Sequence, residues 1–198
     1  MKTIIYVNLL LLLCSCSDSK TKEVLLPNQS IPKVYVLKSS SNISFKSDTI
    51  LLNHNKYSGY LYELNPVNRD TILLEAYSGG LQNGVSKKWY ATKKIMEQRN
   101  YLNGRKIGKQ IAYWENGNKK FEFIAKDDAY EGEMKEWNIE GKLIHLANFK
   151  NGQENGTQKM WYDNGKIRTN YVIIDGKRYG LLGTKNCRNV SDSIFVVK

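Results

Sequence analysis

The sequence predicts an all-β protein, a single-layer elongated antiparallel meander of tandem 24-residue β-hairpin repeats. Three observations predict it. Glycines return on a 24-residue clock, and aromatic residues keep the same clock. The stretches between the glycines alternate apolar and polar residues with the two-residue period of strands, and no part of the array has helical periodicity.

In chain order, residues 1–15 combine a basic start at Lys2 with an apolar run over 4–14, the layout of a secretory leader. That run is shorter than the roughly 20 residues a membrane-spanning helix needs. Leu13-Cys14-Ser15-Cys16 resembles the bacterial lipobox, in which a small residue precedes a cysteine that is acylated and becomes the new N-terminus. Cys16 is therefore the expected lipidation site, and two or three acyl chains there would hold the protein at a membrane. Loss of the leader removes Cys14 and leaves Cys16 and Cys187, so no intramolecular disulfide is expected.

Residues 16–32, polar and carrying Pro27 and Pro32, read as a lipidated flexible tether. Residues 33–76 hold short β-like runs at 34–37, 43–45, 50–52 and 60–64, read as an N-terminal cap that grades into a degenerate first repeat. The array itself is assigned to 77–184 and a C-terminal cap to 185–198, with 194–197 as a last strand.

Within the array, Gly84, Gly108, Gly132, Gly156 and Gly180 share one column, and Gly117, Gly141 and Gly165 share another. Gly80, Gly104, Gly152 and Gly176 form a third, with Asp128 standing in the gap. Trp89, Tyr113, Trp137 and Trp161 form an aromatic column, and Tyr90, Trp114 and Tyr162 form the next, interrupted by Asn138. Asn-Gly and Asp-Gly pairs at 103–104, 116–117, 151–152, 164–165 and 175–176 supply the positive φ angles of tight hairpin turns. A 24-residue hairpin cannot bury its own apolar side chains, so each unit must lean on its neighbours.

The pattern of Tyr101, Asn103-Gly104, Gly108, Tyr113-Trp114 and Asn116-Gly117, repeated along the chain, resembles the variant MORN repeat of bacterial proteins classed as antitoxin-like. The resemblance covers about residues 57–184; Asp128, Asn138 and the divergent stretch 57–76 depart from it. It implies a curved β-meander without known catalytic residues. Its antitoxin label implies protein binding, and MORN repeats elsewhere imply membrane association and scaffolding.

The formal net charge is +11, and it is uneven: residues 77–184 hold 19 Lys and Arg against 12 Asp and Glu, whereas 16–76 hold 7 against 6. An anionic partner would be steered to the array, although the same excess also serves solubility. For an exported, tethered protein the expected partner is a protein, an anionic lipid or lipopolysaccharide, and not nucleic acid.

The seven column aromatics, Trp89, Tyr90, Tyr113, Trp114, Trp137, Trp161 and Tyr162, are the candidate binding residues, although the role of core for a thin sheet is the one expected first of them. The glycines lack the helix that a phosphate cradle requires and are assigned to turns. Asp127, Asp128, Glu131, Glu133 and Glu136 cluster in sequence without the ligand spacing of a calcium loop. His54 and His145 belong to no metal or catalytic motif. The expectation is a monomeric, non-enzymatic, cofactor-free and metal-free binding or scaffold protein, lipid-anchored in the bacterial cell envelope at the outer membrane, periplasmic or surface-facing. The alternative is a thiol-dependent redox or metal-handling protein centred on Cys187.

Overall fold

The computed structural model describes residues 30–183. The leader, Cys16, most of the tether, Cys187 and the expected last strand at 194–197 lie outside the described residues.

All regular structure among the described residues is strand: β1 (Tyr35–Leu37), β2 (Ile43–Lys46), β3 (Thr49–Leu52), β4 (Asn55–Lys56), β5 (Gly59–Leu64), β6 (Thr71–Ser78), β7 (Leu81–Gln82), β8 (Gly84–Trp89), β9 (Ile95–Leu102), β10 (Arg105–Lys106), β11 (Gly108–Tyr113), β12 (Lys119–Lys126), β13 (Ala129–Trp137), β14 (Leu143–Lys150), β15 (Gln153–Trp161), β16 (Ile167–Ile174) and β17 (Lys177–Leu181). One sheet runs in the order β1-β5-β6-β8-β9-β11-β12-β13-β14-β15-β16-β17, with β7 on β6 and β10 on β9. It is the expected meander of hairpins, antiparallel throughout except where β1 pairs parallel with β5.

The N-terminal end departs from a single layer. Strands β2, β3 and β4 form a separate three-stranded sheet, and Ile50 of β3 joins Tyr57, Leu61 and Tyr77 in a buried cluster against which Val36, Ile43 and Leu52 pack. A second layer lets these residues leave water completely, which one face of an open sheet cannot do. The two sheets approach so closely at Gly80 that a Cβ there would lie 2.5 Å from Thr49 Cγ2. The Gly80 N–H donates to Tyr57 O at 2.7 Å and the Ile50 N–H to Gly80 O at 2.8 Å, tying the small sheet to the first turn of the array.

The glycine column from Gly84 to Gly156 marks a break in the ladder. In β14–β15 the register passes from Ala147↔Gln158 to Phe149↔Glu154, so Asn148 alone faces three residues. The same two-residue excess occurs between β12 and β13, between β9 and β10–β11, and between β6 and β7–β8. Gly84, Gly108, Gly132 and Gly156 sit inside this bulge with φ of 81°, 66°, 71° and 76°, a conformation that costs other residues roughly 1–2 kcal/mol. Gly180 keeps the column but not the bulge, because β16–β17 hold one register throughout.

At the break, where Asn100 O already accepts the Ile107 N–H at 2.9 Å, a pair of amide side chains adds further donors to the backbone carbonyls. Gln110 Nε2 donates to Asn100 O and Ile107 O, both at 3.1 Å, while Asn100 Nδ2 donates to Lys109 O. Two units on, Gln158 Nε2 donates to Asn148 O at 2.7 Å and Asn148 Nδ2 to Thr157 O at 2.8 Å. In the unit between, Ile124 and Met134 occupy these two positions as an apolar pair.

The hairpin turns are type I′ pairs, with φ of 50° and 83° at Asn103-Gly104 and 51° and 78° at Asn151-Gly152. Asp127-Asp128 adopts 54° and 67° without a glycine, since a short acidic side chain tolerates this region. Asp128 therefore preserves its unit, and its Oδ1 accepts the Lys106 N–H at 2.9 Å.

The amide pair yields a quantitative expectation. Asn148→Ile or Gln158→Met alone should destabilise the fold by about 1–3 kcal/mol, the cost of orphaning a buried polar group. The double substitution reproduces the apolar pair of the neighbouring unit and should cost less than the sum of the two. Urea unfolding of the four proteins in the cycle measures the coupling, and strict additivity would show that the pair does not act as a unit.

Candidate functional site

The aromatic columns end the first strand of each hairpin, at the point where the register slips by one residue between 88 and 89, 112 and 113, 136 and 137, and 160 and 161. Trp89, Tyr90, Tyr113, Trp114, Trp137 and Trp161 are half-buried and Tyr162 is exposed. They are not the core expected of them. Apart from Tyr77 at its start, the buried apolar residues of the array are small or aliphatic: Ile111, Ala112, Ala125, Met134, Ala147 and Ile173.

What the second column contributes is polar. Tyr90 Oη donates to Tyr113 O and Trp114 Nε1 to Trp137 O, both at 2.9 Å, each reaching one unit forward. Asn138, the interruption in the column, makes the corresponding step to Asp163 Oδ1 at 3.3 Å. Lys120 lies over the Trp114 ring at 4.4 Å and Lys119 over Trp137 at 5.4 Å, covering part of the ring faces.

Strand register sorts the remaining side chains onto two faces. Lys87, Lys135 and Lys159 share a face with the Trp89 column, two residues away on the same strands. Glu97, Arg99, Tyr101, Phe121, Phe123, Met134, Glu136, His145 and Phe149 belong to the other, following the pairs Ser86↔Arg99, Ala112↔Phe121 and Met134↔Ala147. On this second face aromatic rings do pack. Phe121 and Phe123 lie 5.8 Å apart, Phe123 and Tyr130 4.6 Å, and Tyr130 and Phe149 4.9 Å in a near-parallel stack. Arg99 rests over Phe121 at 4.6 Å. A depression of about 290 Å³ opens among these residues, with Lys106 and Glu136 on its rim.

This face was not found from the sequence, because its residues obey no column: the positions of Arg99, Phe123, Ala147 and Tyr171 repeat in spacing but not in chemistry. The alternation Phe121-Glu122-Phe123 was the available signal, and it placed two rings on one side of β12.

The carboxylates of this face are paired. Glu97 meets Arg99 at 3.0 Å and Lys88 at 3.2 Å; burial pushes its carboxyl up, but these two cations outweigh burial and hold it below its ordinary value. Glu136 contacts His145 Nδ1 at 3.4 Å, and that hydrogen bond lowers its carboxyl against the opposing effect of burial. Glu75 is buried between Lys38 at 3.1 Å and Tyr77 Oη at 3.1 Å; burial and then the adjacent Glu75 carboxylate push the Tyr77 phenol far up.

The acidic run at 127–136 is dispersed. Asp127 pairs with Arg105, Asp128 accepts from Lys106, Glu131 accepts the Asn151 N–H, Glu133 pairs with Lys135 and Glu136 with His145. Among the described residues no group of three or more His, Cys, Asp and Glu is placed to hold a metal ion. His145 is engaged by Glu136, and Cys187 lies outside the described residues.

These features define a tandem β-hairpin repeat protein with a periodic scaffold and a non-periodic face. Residues 82–103 and 154–171 match the family model of the MORN repeat variant. The two stretches begin three 24-residue periods apart, in the same register, and the intervening units carry the same bulge and turns. No curated protein matches the chain.

The paired carboxylates fix the sign of a pH effect. Glu97, Glu136 and Glu122, the last paired with Lys109 at 3.2 Å and Lys119 at 2.7 Å, sit below the ordinary 4.5 in the fold, so their contribution to stability is full above about pH 4.5 and is lost as pH falls through their folded values. Glu97→Gln should therefore lower Tm at neutral pH while flattening its decline in acid. Calorimetry between pH 3 and 7, on the order of one scan per half unit, checks this; an acid limb as steep as wild type would contradict it.

Proposed function

We propose that the protein is a non-enzymatic, lipid-anchored binding or scaffold protein of the bacterial envelope, held by Cys16, whose repeat surface engages a protein partner or an anionic envelope component. What carries the reading is the division of labour along the period. Turn, bulge and rung positions repeat because they make the scaffold, whereas the positions of Glu97, Phe121, His145 and Thr169, and of Arg99, Phe123, Ala147 and Tyr171, change chemistry from unit to unit. A surface that varies on a scaffold that does not is how repeat arrays present binding sites. The similarity to MORN repeat variants supports binding, and the antitoxin-like members that the sequence resembles favour a protein as the partner.

The leader and Cys16 support residence at a membrane, and the +11 charge supports an anionic or acidic counterpart. Two measurements test the reading together. Cys16→Ser should move the protein from the membrane fraction to the soluble one. In-cell crosslinking of the intact lipoprotein, followed by washes of rising salt, should retain a saturable partner at low salt and lose it progressively; no retained partner or anionic lipid even at low salt would end the proposal.

A further inference from the structure

We infer that the aromatic depression at the middle of the sheet is a docking site for an acidic segment of a partner polypeptide that also carries a large apolar side chain. The inference rests on the binding role proposed above and narrows it to one face, one cleft and one ligand chemistry.

The floor is apolar and supported. Phe123 touches both Phe121 and Tyr130, and Tyr130 stacks on Phe149, so three strands, β12, β13 and β14, present one continuous ring surface. Tyr130 remains 39 % exposed on this platform. Rigid aromatic surface of this kind is what anchors a partner's side chain at little entropic cost. At about 290 Å³ the depression is at the small end of ligand clefts, roughly 300–1,000 Å³, and accommodates one or two side chains.

Charge complementarity selects the ligand. Around the cleft Glu97 stands against two cations, Lys88 and Arg99, whereas Glu136 contacts His145, an imidazole and not a permanent cation. Lys106, on the rim of the depression, has no ion-pair partner among the described residues. Lys88, Arg99 and Lys106 against Glu97 and Glu136 leave one positive charge at the cleft, and a carboxylate beside an apolar side chain satisfies rim and floor at once. Strands β9, β12 and β13, which supply most of the lining, already have neighbours on both sides, so the ligand docks through its side chains and does not extend the sheet.

The test uses the full chain in detergent and fluorescence polarisation with three probes: a labelled peptide carrying two phenylalanines among glutamates, its lysine-for-glutamate counterpart, and an N-acetylglucosamine oligomer. The acidic peptide should bind saturably, and the basic one should not. Lys106→Glu changes only a rim side chain, spares the core, and should weaken the acidic peptide by about tenfold or more; Phe123→Ala should do likewise through the floor. Equal binding of both peptides, an unaffected Lys106→Glu protein, or displacement of the peptide by the sugar oligomer would overturn the assignment. A cellular partner crosslinked equally well by wild type and Lys106→Glu would also overturn this site while leaving the binding role standing, whereas no partner for either removes the role itself.

Discussion

A backbone polar group shut away from water must find a partner, and in this protein that requirement falls hardest on the bulges. Each unit inserts two extra residues opposite one, which opens the ladder in a sheet whose far half has no second layer among the described residues to hide a defect. The glycine column makes the excursion possible, and in two of the bulges amide side chains donate to the carbonyls there. Gln110 and Gln158 are almost completely buried, at 0 % and 2 %, where each donates to backbone carbonyls at the break. The turns solve the same problem between units: the N–H groups of Gly104, Asp128 and Gly152 donate to Gln82 O, Lys106 O and Tyr130 O one unit back. Tyr90 and Trp114 do so at the opposite margin. The repeat is thus a period of hydrogen-bond closure as much as one of packing.

This has consequences for where stability resides. Leu61, Ile50, Tyr57 and Tyr77 form a two-layer core at the N-terminal end, and burial of four such side chains is worth far more than that of Ala112, Ala125 and Ala147 in the array. Progress along the sheet is progress away from that core. In β17 every residue is exposed, and Ile174, Tyr179 and Leu181 are each more than half exposed. In a chain where each unit touches only its neighbours, opening is expected to begin at that end and to be resisted at the other.

The parts of the fold that were legible in the sequence are those the period encodes locally. Positive-φ turns at Asn103-Gly104 and Asn151-Gly152, strand alternation over β14 and β16, and the antiparallel meander follow from residues whose backbone preferences act within a few positions. The short runs at 43–45 and 50–52 were readable as strands but not as a separate sheet, because their destination depends on the non-local contact with Tyr57, Leu61 and Tyr77. The aromatic columns were seen but their use was not: a regular spacing of Trp and Tyr says that an environment recurs, not whether the ring or its polar tip meets it. Asn100, Gln110 and Gln158 look like surface residues by composition, and only the strand break that surrounds them makes burial favourable. The aromatic cleft was invisible to a periodic reading because it lies at positions where the period carries no chemistry.

Three of the departures from the repeat fall together. Asp128 replaces a turn glycine, Asn138 replaces a column aromatic, and Ile124 with Met134 replaces the amide pair, all within fifteen residues of one another. The same stretch of β12 and β13 supplies Phe123 and Tyr130. Each replacement preserves its geometric duty by other means: Asp128 holds the left-handed turn, Asn138 makes the forward rung to Asp163, and the apolar pair fills the bulge. Exchanging amides for aliphatic groups beside the ring cluster removes polar atoms that would compete for water next to an apolar surface. Met134, lining the cleft from the bulge position, supplies a side chain that conforms to whatever rests on it. The unit that deviates most from its neighbours is therefore the one whose face differs most, with its scaffold adjusted to carry that difference.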